Sequence, residues 1–224
     1  MDIKIIYEDE DLLVVDKPAG VVITDIYPDL DKIHRLDKDT SGVLLIAKTE
    51  ESLLFYQKQF SDKSKGLEKI LKKRYIALVV GSIQDNEKRI ATLIGRGKND
   101  RKKQKVYLLN EPGSLKGKRS AITDYKVVKR FKDYTLLEVF PKTGRKHQIR
   151  AHLAYINHPI VGDKVYGFKN QPCPEGLSQH FLHAECIIIE MMNGETKEFC
   201  SELPKGLKEI INKLSTPAQG GQGE

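Results

Sequence analysis

The sequence predicts an α+β protein built on one large, mixed and mainly antiparallel sheet. Three observations lead there. Most apolar runs are short and are closed by proline, glycine or Asn-Gly, as strands are. Only three segments, near residues 50–60, 147–157 and 205–214, read as helices. The strict strand–helix alternation of a doubly wound fold is absent, and no glycine-rich phosphate or dinucleotide loop replaces it.

Taken in order, Ile3–Tyr7 and Leu12–Asp16 read as strands joined by a turn at Glu8–Asp11. Lys17-Pro18-Ala19-Gly20 stops the second, because proline cannot continue a ladder and glycine frees the turn. Val21–Ile23 is expected as a brief strand, Thr24–Lys32 as a loop, and Val43–Ala47 as a buried strand. Thr49 is a good N-cap, and Glu50 and Glu51 suit the positive end of a helix reaching about Phe60. Ser61–Lys73 is basic, with no clear periodicity. Strands are expected at Arg74–Val80, Arg89–Ile94, Val106–Leu109, Ala121–Arg130 and Tyr134–Phe140. After a turn at Pro141–Lys146, His147–Asn157 places Ile149, Leu153 and Ile156 on one helical stripe. Asn193-Gly194 signals a hairpin between Phe181–Met191 and Thr196–Cys200, and Lys205–Leu214 is an amphipathic helix. One domain over 1–214 and a disordered tail over 215–224 are expected.

The chain has 224 residues, 31% of them charged, and a net charge of +7, which favours polyanionic partners. No apolar run approaches the roughly 20 residues of a membrane span. The start mixes acids into a short apolar stretch, unlike a secretory signal, so a cytoplasmic protein without membrane attachment is expected. Cys173, Cys186 and Cys200 are odd in number and lack a CxxC spacing, so they are expected as reduced, mostly buried thiols.

Three segments carry candidate chemistry. His34-Arg35-Leu36-Asp37-Lys38-Asp39-Thr40-Ser41-Gly42 is a polar loop feeding a buried strand, the kind of rigid mount on which sites are built. Lys72-Lys73-Arg74-Tyr75 opens a strand behind a basic run, where a tyrosine ring can stack on a base or simply pack at a sheet edge. Thr143-Gly144-Arg145-Lys146-His147-Gln148-Ile149-Arg150 delivers a basic first helical turn. Arg145 and Lys146 suit phosphates there, and Arg150 can reach a carboxylate bidentately.

Together, "HRLDKDTSG", "KKRYIALVVG", "TGRKHQIRAHL" and "HPIVGDKVYG", in this order, resemble the successive motifs of the RluA family of pseudouridine synthases. "YEDEDLLVVDKPAGVV" and "FLHAECI" look like that family too, and the similarity covers about residues 3–210. The resemblance implies the pseudouridine synthase fold, with peripheral helices around a central cleft. It implies Asp37 as the catalytic aspartate, Tyr75 as the tyrosine against the target base, and Arg150 as the basic partner of the aspartate. It also implies that His34 and Arg35 help displace the base and that Ile149 lends an apolar wall. Arg145, Lys146, His147 and Gln148 are expected to contact RNA.

That chemistry breaks the N1–C1′ bond of uridine, turns the uracil and joins C5 to C1′. Nothing is gained or lost, so no cofactor and no metal is expected. A carboxylate can trap or stabilise the sugar carbon, attack the base at C6, or remove the 2′ proton. A carboxylate in a cavity stays ionised only beside a cation, and Arg150 is the candidate. The implied partner is structured RNA, ribosomal RNA ahead of transfer RNA, acted on by a monomer. Lys63–Arg74 and Arg96–Lys105 each hold six basic residues against one acid and are expected to flank the cleft. A rival reading is a metal-dependent hydrolase using His147, His152, His158, Asp163, His180 and His183. Against it, His147 and His152 at i, i+5 fall on different helix faces. A second rival is an RNA-binding protein that keeps the fold without the catalysis.

Overall fold

The computed structural model describes residues 3–61, 70–97, 103–109 and 116–216. Among them, eleven strands form one sheet. β1 (Lys4–Glu8) and β2 (Leu12–Lys17) are an edge hairpin, and β2 pairs antiparallel with β4 (Ser41–Ala47). β4 meets β10 (Leu182–Glu190) in parallel through Ser41↔His183 and Gly42↔Ala184. Beyond β10 the order is β5 (Lys72–Val80), β9 (Tyr134–Pro141), β8 (Lys118–Arg130), β6 (Glu87–Arg96) and β7 (Gln104–Tyr107), all antiparallel. β3 (Asp31–Lys32) lies on β4, and β11 (Thr196–Cys200) on β10.

The unbroken apolar runs of β2 and β4 follow from burial on both faces. On one face Val14, Val43 and Leu45 pack with Tyr56, and on the other Leu13, Val15, Leu44 and Ile46 form a second cluster. A larger core joins β5 and β9 to helices α2 (Gln148–Tyr155) and α3 (Lys205–Ser215). The first helix, α1 (Glu50–Phe60), starts as its sequence requires: Thr49 and Ser52 form a reciprocal capping box, and Glu50 and Glu51 occupy the first turn.

The expected elements largely stand, with four corrections. Asp31–Lys32, the end of the expected Thr24–Lys32 loop, is a short strand paired antiparallel with β4. Val21–Ile23 is not a strand; a 3-10 helix spans Ile23–Asp25 instead. The cause is Lys17, which is 2% exposed and donates from Nζ to the carbonyls of Pro18, Val21 and Lys38 at 2.8–3.0 Å. The backbone wraps around this ammonium and gives it the carbonyls a ladder would need. The cysteines are not all reduced buried thiols. The β10–β11 register sets Cys186 opposite Cys200, the two are disulfide-bonded, and Cys173 is exposed. Cysteine spacing gave no sign of this pair, because a hairpin register joins them across 14 residues. Finally, α3 continues to Ser215, the first residue assigned to the tail, and residues 217–224 lie outside those described. No helix among the described residues is long and apolar enough to cross a membrane.

One glycine sets the junction of the two halves of the sheet. Gly42 sits at φ +114°, and a Cβ there would collide with the backbone of Ala184. Gly42→Ala is therefore expected to break the β4–β10 pairing beside the Asp37 loop. Chemical denaturation should register a loss of at least about 2 kcal/mol.

Candidate functional site

Three elements converge on one cavity of about 260 Å³. The loop before β4 brings Asp37, whose carbonyl accepts from the amide of Thr40 in a tight turn. β5 brings Tyr75 from mid-sheet, paired with Ala184 on one side and Val139 on the other. The turn after β9 and the start of α2 bring Thr143 through Arg150.

Arg150 is the centre of the site. It is 6% exposed, and its guanidinium bridges two carboxylates. Nη1 donates to Asp37 Oδ2 at 2.7 Å, while Nε and Nη2 donate to Asp163 Oδ2 and Oδ1 at 2.7 and 2.8 Å. The bidentate partner expected of Arg150 is thus Asp163, and Asp37 takes the remaining arm. Burial works against the guanidinium charge, but the hydrogen bonds to Asp163 and Asp37 overcome it and hold its pKa above the ordinary arginine value. Burial likewise opposes the Asp163 charge. The Arg150 bonds and the amides of Tyr166 and Val165 reverse this and depress its pKa.

His147 stands on the other side of Asp37, its Nε2 3.6 Å from Oδ1. It is the N-cap of α2 in a left-handed conformation, φ 55°, which costs a non-glycine residue about 1–2 kcal/mol. Its Nδ1 lies 3.1 Å from Tyr166 Oη. Burial lowers the His147 pKa, and Arg150 and Lys146 add to that against the pull of Asp37. Tyr75 is driven above the usual tyrosine range by burial and by Asp37, so it keeps its proton.

The other expected residues line the same cavity with different freedom. Ile149 is buried, as an apolar wall requires. Lys146 and Arg35 are exposed, and Arg145 donates to the carbonyl of Ser120. His34 accepts from the amide of Leu45 and stacks on Phe60 at 4.8 Å; burial and then Lys73 push its pKa down to about 3. Gln148 uses its whole amide internally. Its Oε1 accepts from Thr143 and Arg145, and its Nε2 donates to Ile122 and Thr123. It pins the turn that aims the neighbouring residues. Lys73, from the basic run, also lines the cavity, whereas residues 62–69 and 98–102 of the two basic stretches lie outside those described.

The histidines of the metal reading do not gather. His152 sits between Thr92 and Thr123, His158 meets the carbonyl of Val80, His180 meets Thr40, and His183 meets Ser41. Among the described residues the one cluster of metal-binding type is Cys186, Glu198 and Cys200, and its two sulfurs are joined to each other.

Sequence reasoning placed Asp163 only in the metal reading, not beside Arg150, and missed Tyr166 altogether. Both lie in "HPIVGDKVYG", where an acid and an aromatic follow a glycine turn directly after the basic helix.

Similarity to known proteins extends over most of the chain. The profile of the family described as RNA pseudouridylate synthase matches residues 11–155. The chain is 35% identical over 229 residues to "Ribosomal large subunit pseudouridine synthase D" of Borreliella burgdorferi, covering 91% of this chain and 66% of the relative. It is 34% identical over 234 residues to "Ribosomal large subunit pseudouridine synthase C" of Haemophilus influenzae, covering 94% of this chain and 68% of the relative. The chain thus spans about two thirds of the length of these relatives. The solved structure "Human RNA Pseudouridylate Synthase Domain Containing 1" superposes with a TM-score of 0.73 at 24% identity, covering 96% of both chains, which is a likeness of fold.

The Arg150–Asp163 pair yields a stability prediction. Asp163→Asn leaves a buried guanidinium short of a counter-charge and is expected to cost about 3–5 kcal/mol at pH 7. The folded pKa of Asp163 is depressed, so its contribution is complete above the unfolded carboxylate pKa of about 3.9 and fades as pH falls below it. Urea titrations of both proteins from pH 7 to 3 should show the deficit of the variant shrinking below about pH 4.

Proposed function

We propose that Asp37 is the reacting group of this enzyme, since the chain belongs to the RNA pseudouridylate synthase family and is an RNA pseudouridine synthase. The observation that carries the reading is the Arg150–Asp37 ion pair inside a cavity that Tyr75 also lines. Arg150 fixes one carboxylate oxygen. The other has no hydrogen bond from His147 at 3.6 Å and keeps a lone pair for the nucleotide. Such a carboxylate serves any of the three routes, at the sugar carbon, at C6 or at the 2′ proton, because each needs an oriented carboxylate oxygen.

Tyr75 offers its ring to the uracil and stays protonated, so it acts first as a stacking surface and hydroxyl donor. A cavity of about 260 Å³ takes one nucleotide and not a duplex. The target uridine therefore leaves its stack, at a cost of a few kcal/mol. Exposed Arg35 and Lys146 and the half-buried Arg145 at the rim offset that cost through phosphate contacts. The names of the relatives favour large-subunit ribosomal RNA as the substrate.

Two measurements test this. Asp37→Asn is nearly isosteric but supplies no carboxylate. It should bind RNA as wild type does, yet release tritium from C5-labelled uridine at least ~10³-fold more slowly. Undiminished release would remove Asp37 from the reaction. Pseudouridine mapping of total RNA from cells with and without the gene should lose a signal in large-subunit ribosomal RNA; a loss confined to transfer RNA would reassign the substrate.

A further inference from the structure

Tyr166 touches two of the groups beside the Asp37 carboxylate, Arg150 and His147. Its ring lies under the Arg150 guanidinium, 5.3 Å from centroid to Cζ. Its hydroxyl lies 3.1 Å from His147 Nδ1, and the two rings meet edge to face. The same hydroxyl oxygen accepts from the backbone amide of Gln104, the first residue of β7, at 2.7 Å. We propose that Tyr166 is a positioning residue for Asp37: its ring supports Arg150, its hydroxyl selects the His147 tautomer, and Gln104 ties both to the β6–β7 hairpin.

The argument is a proton count. The Gln104 amide brings its own hydrogen, so it occupies a lone pair on Tyr166 Oη. The hydroxyl still carries one proton. Burial pushes the Tyr166 pKa up to about 12, so that proton stays in place at neutral pH. His147 Nδ1 is the acceptor within reach. If Nδ1 accepts, a neutral imidazole carries its hydrogen on Nε2, the atom 3.6 Å from Asp37 Oδ1. That N–H is attracted to the carboxylate without protonating it. The opposite tautomer would set a nitrogen lone pair against an oxygen lone pair. The hydroxyl therefore reinforces, from the Nδ1 side, the tautomer that Asp37 favours from the Nε2 side.

The surroundings of His147 fit a neutral ring. From α2 comes Arg150 and from the turn ahead of it Lys146, from the loop before β4 comes Asp37, and from the segment after α2 come Asp163 and Tyr166. Burial and the two cations outweigh the two carboxylates. The left-handed backbone at His147 is what brings the ring between Asp37 and Tyr166. Because β7 supplies the amide, a shift of the β6–β7 hairpin on RNA binding would reach Asp37 through two hydrogen-bonding groups.

This inference rests on the reading of Asp37 given above, and the test separates the two. Long-range nitrogen–proton NMR spectra of uniformly nitrogen-15-labelled protein distinguish imidazole tautomers, and the His147 signal is identified by its loss in His147→Gln. Wild type is expected to hold its proton on Nε2. Tyr166→Phe keeps the ring and removes the hydroxyl. It should let an Nδ1–H population of His147 appear beside the Nε2–H form and lower kcat about tenfold with KM unchanged. Tyr166→Leu, which also removes the ring from Arg150, should lower kcat by about a hundredfold. A wild-type His147 protonated on Nδ1 overturns the proposal whether or not a Tyr166 variant folds. A Tyr166→Phe enzyme with wild-type kcat, beside an inactive Asp37→Asn, overturns it while leaving the role of Asp37 standing. An active Asp37→Asn overturns that role itself, and with it this inference.

Discussion

A single buried guanidinium organises this molecule. Arg150 can be ionised inside the protein only because two carboxylates share it, and its bonds in turn depress the pKa of Asp163. Asp163 is the structural half of the arrangement. It is fully enclosed, takes both remaining arms of the fork, and accepts two backbone amides of its own turn. Asp37 is the working half, partly open to the cavity and held by one arm. A lysine could not replace the arginine, because a point charge cannot present three fixed donors to two acids in different directions.

The sheet exists to bring those partners together. β2 and β4, buried on both faces, give the Asp37 loop a foundation that cannot tilt, and Lys17 clamps that loop from beneath through the Lys38 carbonyl. Tyr75 projects from a strand flanked on both sides, so its ring position follows from two registers and not from a loop. α2 is anchored by Leu153 and Ile149 in the largest core, while Gln148 locks the turn in front of it. Asp37, Tyr75 and Arg150 are thus each tied to a part of the fold with little freedom.

Much of this was legible in the residues. Period, punctuation and capping located nearly every strand and all three helices among the described residues, because those signals are local: Thr49 with its acidic first turn, Asn193-Gly194 at the hairpin, the stripe of α2. Three ordered motifs singled out Asp37, Tyr75 and Arg150, which the structure brings to one cavity. What escaped was non-local. Val21–Ile23 has a strand's composition, but a buried ammonium claims its carbonyls. Cys186 and Cys200 meet only through a register. Asp163 gives no sign in sequence that it, and not Asp37, fills the fork of Arg150.

Asp37 and Arg150 are 113 residues apart in the chain, and Asp163 follows later still. No contiguous fragment shorter than that span can assemble the pair. A polypeptide still emerging from the ribosome carries its carboxylate without a counter-ion, and a chain clipped between the two is in the same position. The ion pair at the cavity therefore waits until both distant segments have been made and brought onto the same sheet.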